Sequence, residues 1–171
     1  AGTGQVADLP ALAADLQTRF RAQGGERLCG RIEALTVHAG RAAARLDDGS
    51  RRQPDLLLLS AGVRSRELLA PLDIAAPLVA ERGYHLQWAQ HDWPSALPPT
   101  VFEDRSLIAT RFDSGLRIAG FVEYAPLDAP ADPGKWARLE HHVRALGLPV
   151  RDEPTRWMGA RPTLPLSLIH I

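Results

Sequence analysis

Arg161 is the residue whose type and setting most clearly offer chemistry. It lies in RWMGARP, residues 156–162, two positions after Gly159 and directly before a proline. A guanidinium is a permanently charged, planar group that matches a carboxylate with two hydrogen bonds. The residue type therefore suits a site for a carboxylate ligand. The alternative is a structural ion pair with a nearby acidic residue such as Asp152.

Arg117 and Glu123 are the next candidates, since both fall on one predicted face of the strand GLRIAGFVEY. Such a pair could carry out acid–base chemistry. An ion pair across neighbouring strands is the favoured interpretation.

The histidines do not indicate a metal site. His141 and His142 are adjacent, and neighbouring helix residues point about 100° apart. His85 and His91 have no cysteine or carboxylate at ligand spacing, and Cys29 is the one cysteine. We therefore expect no metal, and without a G-x-S-x-G element we expect no hydrolase.

The bulk composition is that of a globular protein. Of 171 residues, 45% are hydrophobic and 23% charged, and the Lys+Arg and Asp+Glu totals are both 20. A net charge of zero argues against nucleic acid as a partner. No apolar run reaches the length of a membrane span.

Two types of pattern divide the chain. Residues 1–76 read as an α/β piece: a capped helix in ADLPALAADLQTRFRAQGG, two short strands, then PDLLLLSAG. That last run predicts a strand buried on both faces, as in a parallel sheet. Residues 77–155 read as antiparallel strands followed by a helix that Asp132 caps. Residues 156–165 predict a strand that returns to the first piece.

Several stretches, in this order, resemble one family. They are GQVADLPALAADLQTRFRAQG, RIEAL, DGSRRQPDLLLLSAGVRSRELL, PLVAERGYHLQW, GLRIAGFVEY and RWMGARP. The chain resembles the FAD-dependent D-amino-acid oxidase superfamily, most closely its D-amino-acid dehydrogenase-like branch. The resemblance implies an α+β/α/β fragment: part of an FAD-binding, Rossmann-like domain joined to a mixed, mostly antiparallel substrate-binding sheet.

The resemblance also assigns site residues. Arg161 would pair with the carboxylate of an amino acid. Tyr84 would lie along the floor of the substrate pocket, although it shares a predicted face with Leu86 and Trp88 and so fits the core equally well. No residue is expected to act as catalytic acid or base.

Four further residues match family positions near the cofactor. Ile32 would meet the adenine of FAD through its backbone, and Ala61 and Gly62 would end a strand packed near FAD. Gly159 would let the backbone approach the flavin ring. An ordinary strand-to-helix turn is the alternative for Ala61 and Gly62.

Two features differ from the family pattern. The chain has no G-x-G-x-x-G turn for the FAD pyrophosphate, since AGTGQV has only two of the three glycines. At the other end, LSLIHI is what one frame of a common sequencing-library transposon end encodes. We expect residues 166–171 to be read-through, the alternative being a genuine apolar strand.

The implied function is oxidation of an amino acid, a D-amino acid first of all, by a larger cytoplasmic protein of which this chain is an internal fragment. The electron acceptor would be a quinone or oxygen, and the protein could contact the inner membrane peripherally. By itself, the chain should bind FAD weakly or not at all. Glycine or sarcosine oxidation on the same fold, and a non-catalytic α+β binding module, remain the alternatives.

Overall fold

The computed structural model describes residues 6–165. The glycines of AGTGQV and the tail 166–171 lie outside the described residues.

The described residues form three α-helices and eight β-strands. The helices are α1 (Leu9–Ala22), α2 (Ser65–Leu69) and α3 (Pro133–Ala145). The strands are β1 (Ile32–His38), β2 (Arg41–Leu46), β3 (Arg51–Arg52), β4 (Val79–Trp88), β5 (Thr100–Phe102), β6 (Leu107–Phe112), β7 (Gly115–Tyr124) and β8 (Thr155–Thr163). Strands β1–β3 form a three-stranded antiparallel sheet, and a second sheet has the order β5-β6-β7-β4-β8.

The chain divides into two compact units. One contains residues up to 25 together with residues 82–160, and the other contains residues 26–81 and those from 161 onward. Residues 6–25 group with the β5–β8 part of the chain, where the Ala7 carbonyl accepts a hydrogen bond from Asp113 N. The division after residue 76 stays a prediction.

Local sequence signals explain where the long helices begin. The side chain of Asp8 accepts a hydrogen bond from Ala11 N at 2.8 Å, and that of Asp132 accepts one from Gly134 N at 2.8 Å. Each satisfies a backbone donor that the first helical turn leaves free, and a proline in that turn loses nothing by lacking an N–H. The predicted helices and caps are therefore confirmed.

The main core lies between α3 and the second sheet. Its buried residues are Tyr84, Leu86, Trp88, Leu107, Ala109, Leu116, Ile118, Leu139 and Val143. Strand β4 contributes every second residue because side chains alternate across a strand. Burying one leucine or isoleucine of this set stabilises the fold by about 1.5–3 kcal/mol.

The β6–β7 turn depends on a glycine. Gly115 has φ +130°, and a Cβ there would collide with the backbone carbonyl of Trp88 on β4. The turn of Asp113, Ser114 and Gly115 thus ends in glycine because two backbones approach closely at this point.

Two apolar segments are less buried than the sequence predicts. The run PDLLLLSAG forms no strand, and Leu56 and Leu58 are 87% and 86% exposed. The prediction of a buried parallel strand is wrong for the described chain, since a strand buried on both faces needs neighbours and none of the described strands pairs with it. Helix α1 forms as predicted, and none of its residues is buried among those that the structure describes.

Candidate functional site

Arg161 lies near the end of β8 in a small polar cluster with Glu81 and Thr163. Its Nη2 donates to Glu81 Oε1 at 2.6 Å, while Thr163 Oγ1 donates to Glu81 Oε2 at 2.7 Å. The Arg161 side chain is 65% exposed and that of Glu81 only 20%. The carboxylate is therefore the fixed member of the pair and the guanidinium the accessible one.

The pairing with Glu81 leaves Arg161 able to hold a second carboxylate. A guanidinium has five N–H groups, arranged along a side-on edge and an end-on edge that share Nη2. Glu81 engages one nitrogen of this group, and no other partner of Arg161 is present among residues 6–165. One complete two-donor edge consequently remains free. The ion pair that is the alternative interpretation of Arg161 is present, with Glu81 rather than Asp152 as the partner.

Tyr84 lies in the core, with only 2% of its surface exposed. Its hydroxyl donates to Glu123 Oε1 at 2.5 Å and accepts a hydrogen bond from Asp132 N at 2.9 Å. Its ring meets Trp136 edge-on at 5.2 Å. The hydroxyl thus has a donor and an acceptor partner within the protein, in accordance with the core alternative.

Arg82 and Lys135 lie beside the Glu123 carboxylate in the same cluster. Arg82 is fully buried, and it donates to the carbonyls of Pro126 and Pro130 at 3.2 and 2.9 Å. Its Nε lies 3.4 Å from Glu123 Oε1, without hydrogen-bond geometry. Lys135 Nζ lies 3.7 Å from Glu123 Oε2. The cluster joins β4, β7 and the loop before α3.

Burial chiefly, and then the hydrogen bond to Glu123, raises the pKa of Tyr84 above its ordinary value of 10.0. The phenol therefore stays protonated and acts as the donor to the carboxylate at neutral pH.

Arg117 and Glu123 do not share a face, contrary to the sequence prediction. Arg117 donates to Gln87 Oε1, whereas Glu123 contacts Tyr84, and residues 84 and 87 of one strand point to opposite faces. The alternation of side chains along β7 changes near Phe121. This residue faces α3, because its ring lies 4.8 Å from the guanidinium of Arg138 on that helix. Glu123 does form an ion pair across neighbouring strands, but with Arg82.

Gly159 lies beside an aromatic pair. The indole of Trp157 occupies the space in front of Gly159, so that a Cβ there would collide with it, and the same indole stacks on His85 at 4.7 Å. Burial, and secondarily the charge of Arg117, lowers the pKa of His85 to about 4. His85 is therefore neutral at pH 7.

Two of the predicted cofactor residues lie on one depression. Ile32 and Ala61 line a cavity of about 450 Å³, together with residues 30–33 and parts of α2. Gly62 follows directly with φ +57°, which suits glycine. The size of this cavity fits one end of a nucleotide cofactor. The described residues form one wall for that end of the cofactor, and they include no turn that could bind a phosphate.

Sequence reasoning missed Glu81 and Arg82. Arg82 carried a signal, because it falls on the apolar face of β4 between Ala80 and Tyr84, where a charge must find partners. Glu81 carried none, since its partner Arg161 is 80 positions away.

Comparison with known proteins identifies the family. The sequence pattern of the family described as FAD dependent oxidoreductase (DAO) matches residues 1–171. The chain therefore belongs to this family, as the resemblance implied, and FAD is confirmed as the family's cofactor.

Individual relatives agree with this membership. The chain is 32% identical over 172 residues to D-amino acid dehydrogenase 2 of Pseudomonas aeruginosa, covering 96% of this chain and 40% of that protein. It is 28% identical over 171 residues to a D-amino-acid oxidase of Bradyrhizobium diazoefficiens, again covering 96% of this chain and 40% of the relative. The chain thus spans about 40% of the length of these curated relatives.

Solved structures show the same fold. A glycine oxidase from Geobacillus kaustophilus matches 91% of this chain and 42% of its own, with a TM-score of 0.70 and 17% identity. An iminodiacetate oxidase from Chelativorans sp. BNC1 matches 91% of this chain and 43% of its own, with a TM-score of 0.65 and 19% identity. These matches confirm the predicted fold class, a mixed α/β chain consistent with part of a Rossmann-like FAD-binding domain.

Two kinds of feature are absent from the described residues. No helix among residues 6–165 has the length and apolar character needed to cross a membrane. Within the same range, no group of three or more His, Cys, Asp or Glu side chains is placed to hold a metal ion.

Proposed function

We propose that the complete protein carrying this chain oxidises an amino acid, and a D-amino acid in particular, to the imino acid. Water then converts the imino acid to a 2-oxo acid and ammonia. FAD, when bound, supplies the acceptor for the two electrons, which pass on to a quinone or to oxygen. The observation that carries the proposal is Arg161, an accessible guanidinium with a free two-donor edge in a chain of this family.

In this proposal Arg161 holds the substrate carboxylate. Two charge-assisted hydrogen bonds fix both the position and the plane of the carboxylate. A substrate held in this way presents one face of its α-carbon, which is how a single arginine can contribute to choosing between enantiomers.

The remaining predicted residues have supporting roles. Ile32 and Ala61 line the cavity proposed to receive one end of FAD, and Gly62 directly follows Ala61. Gly159 and the Trp157 ring beside it form part of the surface near the flavin. Tyr84 supports the sheet from the core rather than touching substrate, given its burial and its two internal partners. Location in the cytoplasm, with peripheral contact to the inner membrane, is proposed for the complete protein.

The test uses protein expressed from the complete reading frame, assayed with a dye as electron acceptor. Its substrates are D-alanine, L-alanine, glycine and sarcosine. Arg161→Ala should lower kcat/KM for the preferred substrate at least a hundredfold, because each lost hydrogen bond between charged groups is worth about 1.5–3 kcal/mol.

Arg156→Ala is the matched control. Arg156 lies on the same strand and is also paired with a glutamate, Glu140, through two nitrogens. We expect it to change kcat/KM less than about threefold, as for an exposed ion pair. Equal losses in the two variants would contradict the role of Arg161. If the protein prefers glycine or sarcosine, its function is instead the oxidation of glycine or sarcosine.

A further inference from the structure

Glu81 touches Arg161 in a way that a simple surface ion pair would not require. Its two carboxylate oxygens are divided between two partners on β8, with Oε1 accepting from Arg161 Nη2 and Oε2 accepting from the Thr163 hydroxyl. Arg161 and Thr163 are two positions apart on one strand, so their side chains leave the same face. The carboxylate therefore bridges two neighbours of that face.

The burial of the three groups is uneven. The Glu81 side chain is 20% exposed, whereas the Arg161 side chain is 65% exposed. Thr163 is partly buried and carries a β-branched side chain, which has few rotamers. Glu81 is consequently held by its own burial and by Thr163, and Arg161 is the flexible member that gains order from the contact.

We infer that Glu81 is a positioning residue for Arg161, with Thr163 as the group that holds Glu81 in place. This inference rests on the proposed function, in which Arg161 binds the substrate carboxylate. Glu81 takes one N–H of the guanidinium and thereby fixes which two-donor edge is presented to the substrate. Without that contact, the long side chain would have to lose its rotamer freedom on each binding event.

The arrangement also affects which ligands bind. Glu81 offsets the charge of Arg161, so a lone anion is attracted less strongly than to an unpaired guanidinium. A zwitterionic amino acid, whose ammonium group can approach the carboxylate of Glu81 while its own carboxylate meets Arg161, satisfies both charges. The pair is thus suited to amino acids over simple carboxylic acids.

The experiment is a double-mutant cycle on protein from the complete reading frame, with KM for the preferred amino acid as the main readout. Glu81→Ala should raise KM about tenfold, Thr163→Val about threefold, and Thr163→Ser, which keeps the hydroxyl, less than twofold. In the Arg161→Ala background, Glu81→Ala should add less than twofold, since its effect passes through Arg161. Glu140→Ala, which removes the carboxylate partner of Arg156, is the matched control and should leave KM within twofold.

Two further measurements separate positioning from a structural role. Glu81→Gln keeps the shape and the acceptor oxygen, so it should fold like the wild-type protein. It should also bind acetate, used as the carboxylate probe in competition with substrate, more tightly than the wild-type protein does. Added to Arg161→Ala, Glu81→Gln should leave the affinity for acetate unchanged, since its effect passes through Arg161.

The outcomes distinguish the inference from the function on which it rests. If Arg161→Ala raises KM but the effects of Glu81→Ala and Arg161→Ala multiply independently, the positioning role is wrong and the proposed function stands. An unchanged KM in Arg161→Ala would overturn both.

Discussion

Replacing Tyr84 by phenylalanine decides between the two roles that the sequence left open for this residue. The change removes one oxygen and leaves the ring, with its edge-on contact to Trp136, in place. It deletes the hydrogen bond to Glu123 at 2.5 Å and the acceptor for Asp132 N at 2.9 Å. If Tyr84 is a core residue, the loss of these two hydrogen bonds should lower the free energy of unfolding.

The magnitude follows from those two bonds. A hydrogen bond to a charged group contributes about 1.5–3 kcal/mol, and an orphaned backbone N–H costs about 1–3 kcal/mol. Arg82 and Lys135 remain near the Glu123 carboxylate, so the free-energy cost of losing the tyrosine hydroxyl is reduced at Glu123. We expect the free energy of unfolding to fall by about 2.5 kcal/mol, which for a chain of this size lowers Tm by roughly 5–10 °C.

The assay is urea and thermal unfolding followed by circular dichroism. Tyr124→Phe is the matched control, because Tyr124 is the only other tyrosine in the sequence and is 67% exposed, so its removal should change stability by less than about 0.5 kcal/mol. The Tyr124→Phe variant also isolates Tyr84 for alkaline titration, where the raised pKa predicts ionisation above pH 10. Since the folded state then keeps a proton that the unfolded state loses, stability should decline as the pH rises above 10.

The result that would refute this reasoning is unchanged stability of Tyr84→Phe together with an altered KM in the complete protein. Tyr84 would then contact the substrate, as the family resemblance implied.

The remaining predictions concern His85 and Gly115. Because burial lowers the pKa of His85 to about 4, the unfolded chain binds an extra proton between pH 6.5 and 4. Stability should fall as the pH falls through that window. His85→Gln should flatten this part of the stability profile, whereas the control His38→Gln, at an exposed position, should not. A flat profile in the wild-type protein would contradict the burial of His85. Gly115→Ala should destabilise the chain by about 3 kcal/mol or more, since it adds backbone strain to a collision with the Trp88 carbonyl. Gly40→Ala, with φ +74° and open space around it, should cost about 1 kcal/mol, and equal costs at the two positions would show that the close approach to β4 is absent.

The parts of the fold that the sequence predicts are those governed by neighbours along the chain. Asp8 and Asp132 cap their helices because the acceptor and the donor are two or three positions apart. The buried face of β4 can be predicted because every second side chain enters the core.

Contacts between distant segments are what sequence reasoning lacks. The run PDLLLLSAG has the composition of a buried strand, but composition does not supply the neighbouring strands that would bury it. The change of face near Phe121 reverses the expected side of Glu123. The residue type and setting of Arg161 predict a carboxylate-binding role, while nothing in the sequence indicates its partner Glu81, 80 positions earlier.

The most direct test of the central claim is anaerobic mixing of the complete, FAD-loaded protein with the D- and L-enantiomers of one amino acid, followed by the visible absorbance of the flavin. We predict that the D-enantiomer bleaches the flavin of wild-type protein, that the L-enantiomer does not, and that Arg161→Ala slows the bleaching at least a hundredfold at low substrate concentration. Bleaching by both enantiomers at equal rates, or by the D-enantiomer at an unchanged rate in Arg161→Ala, would contradict the account.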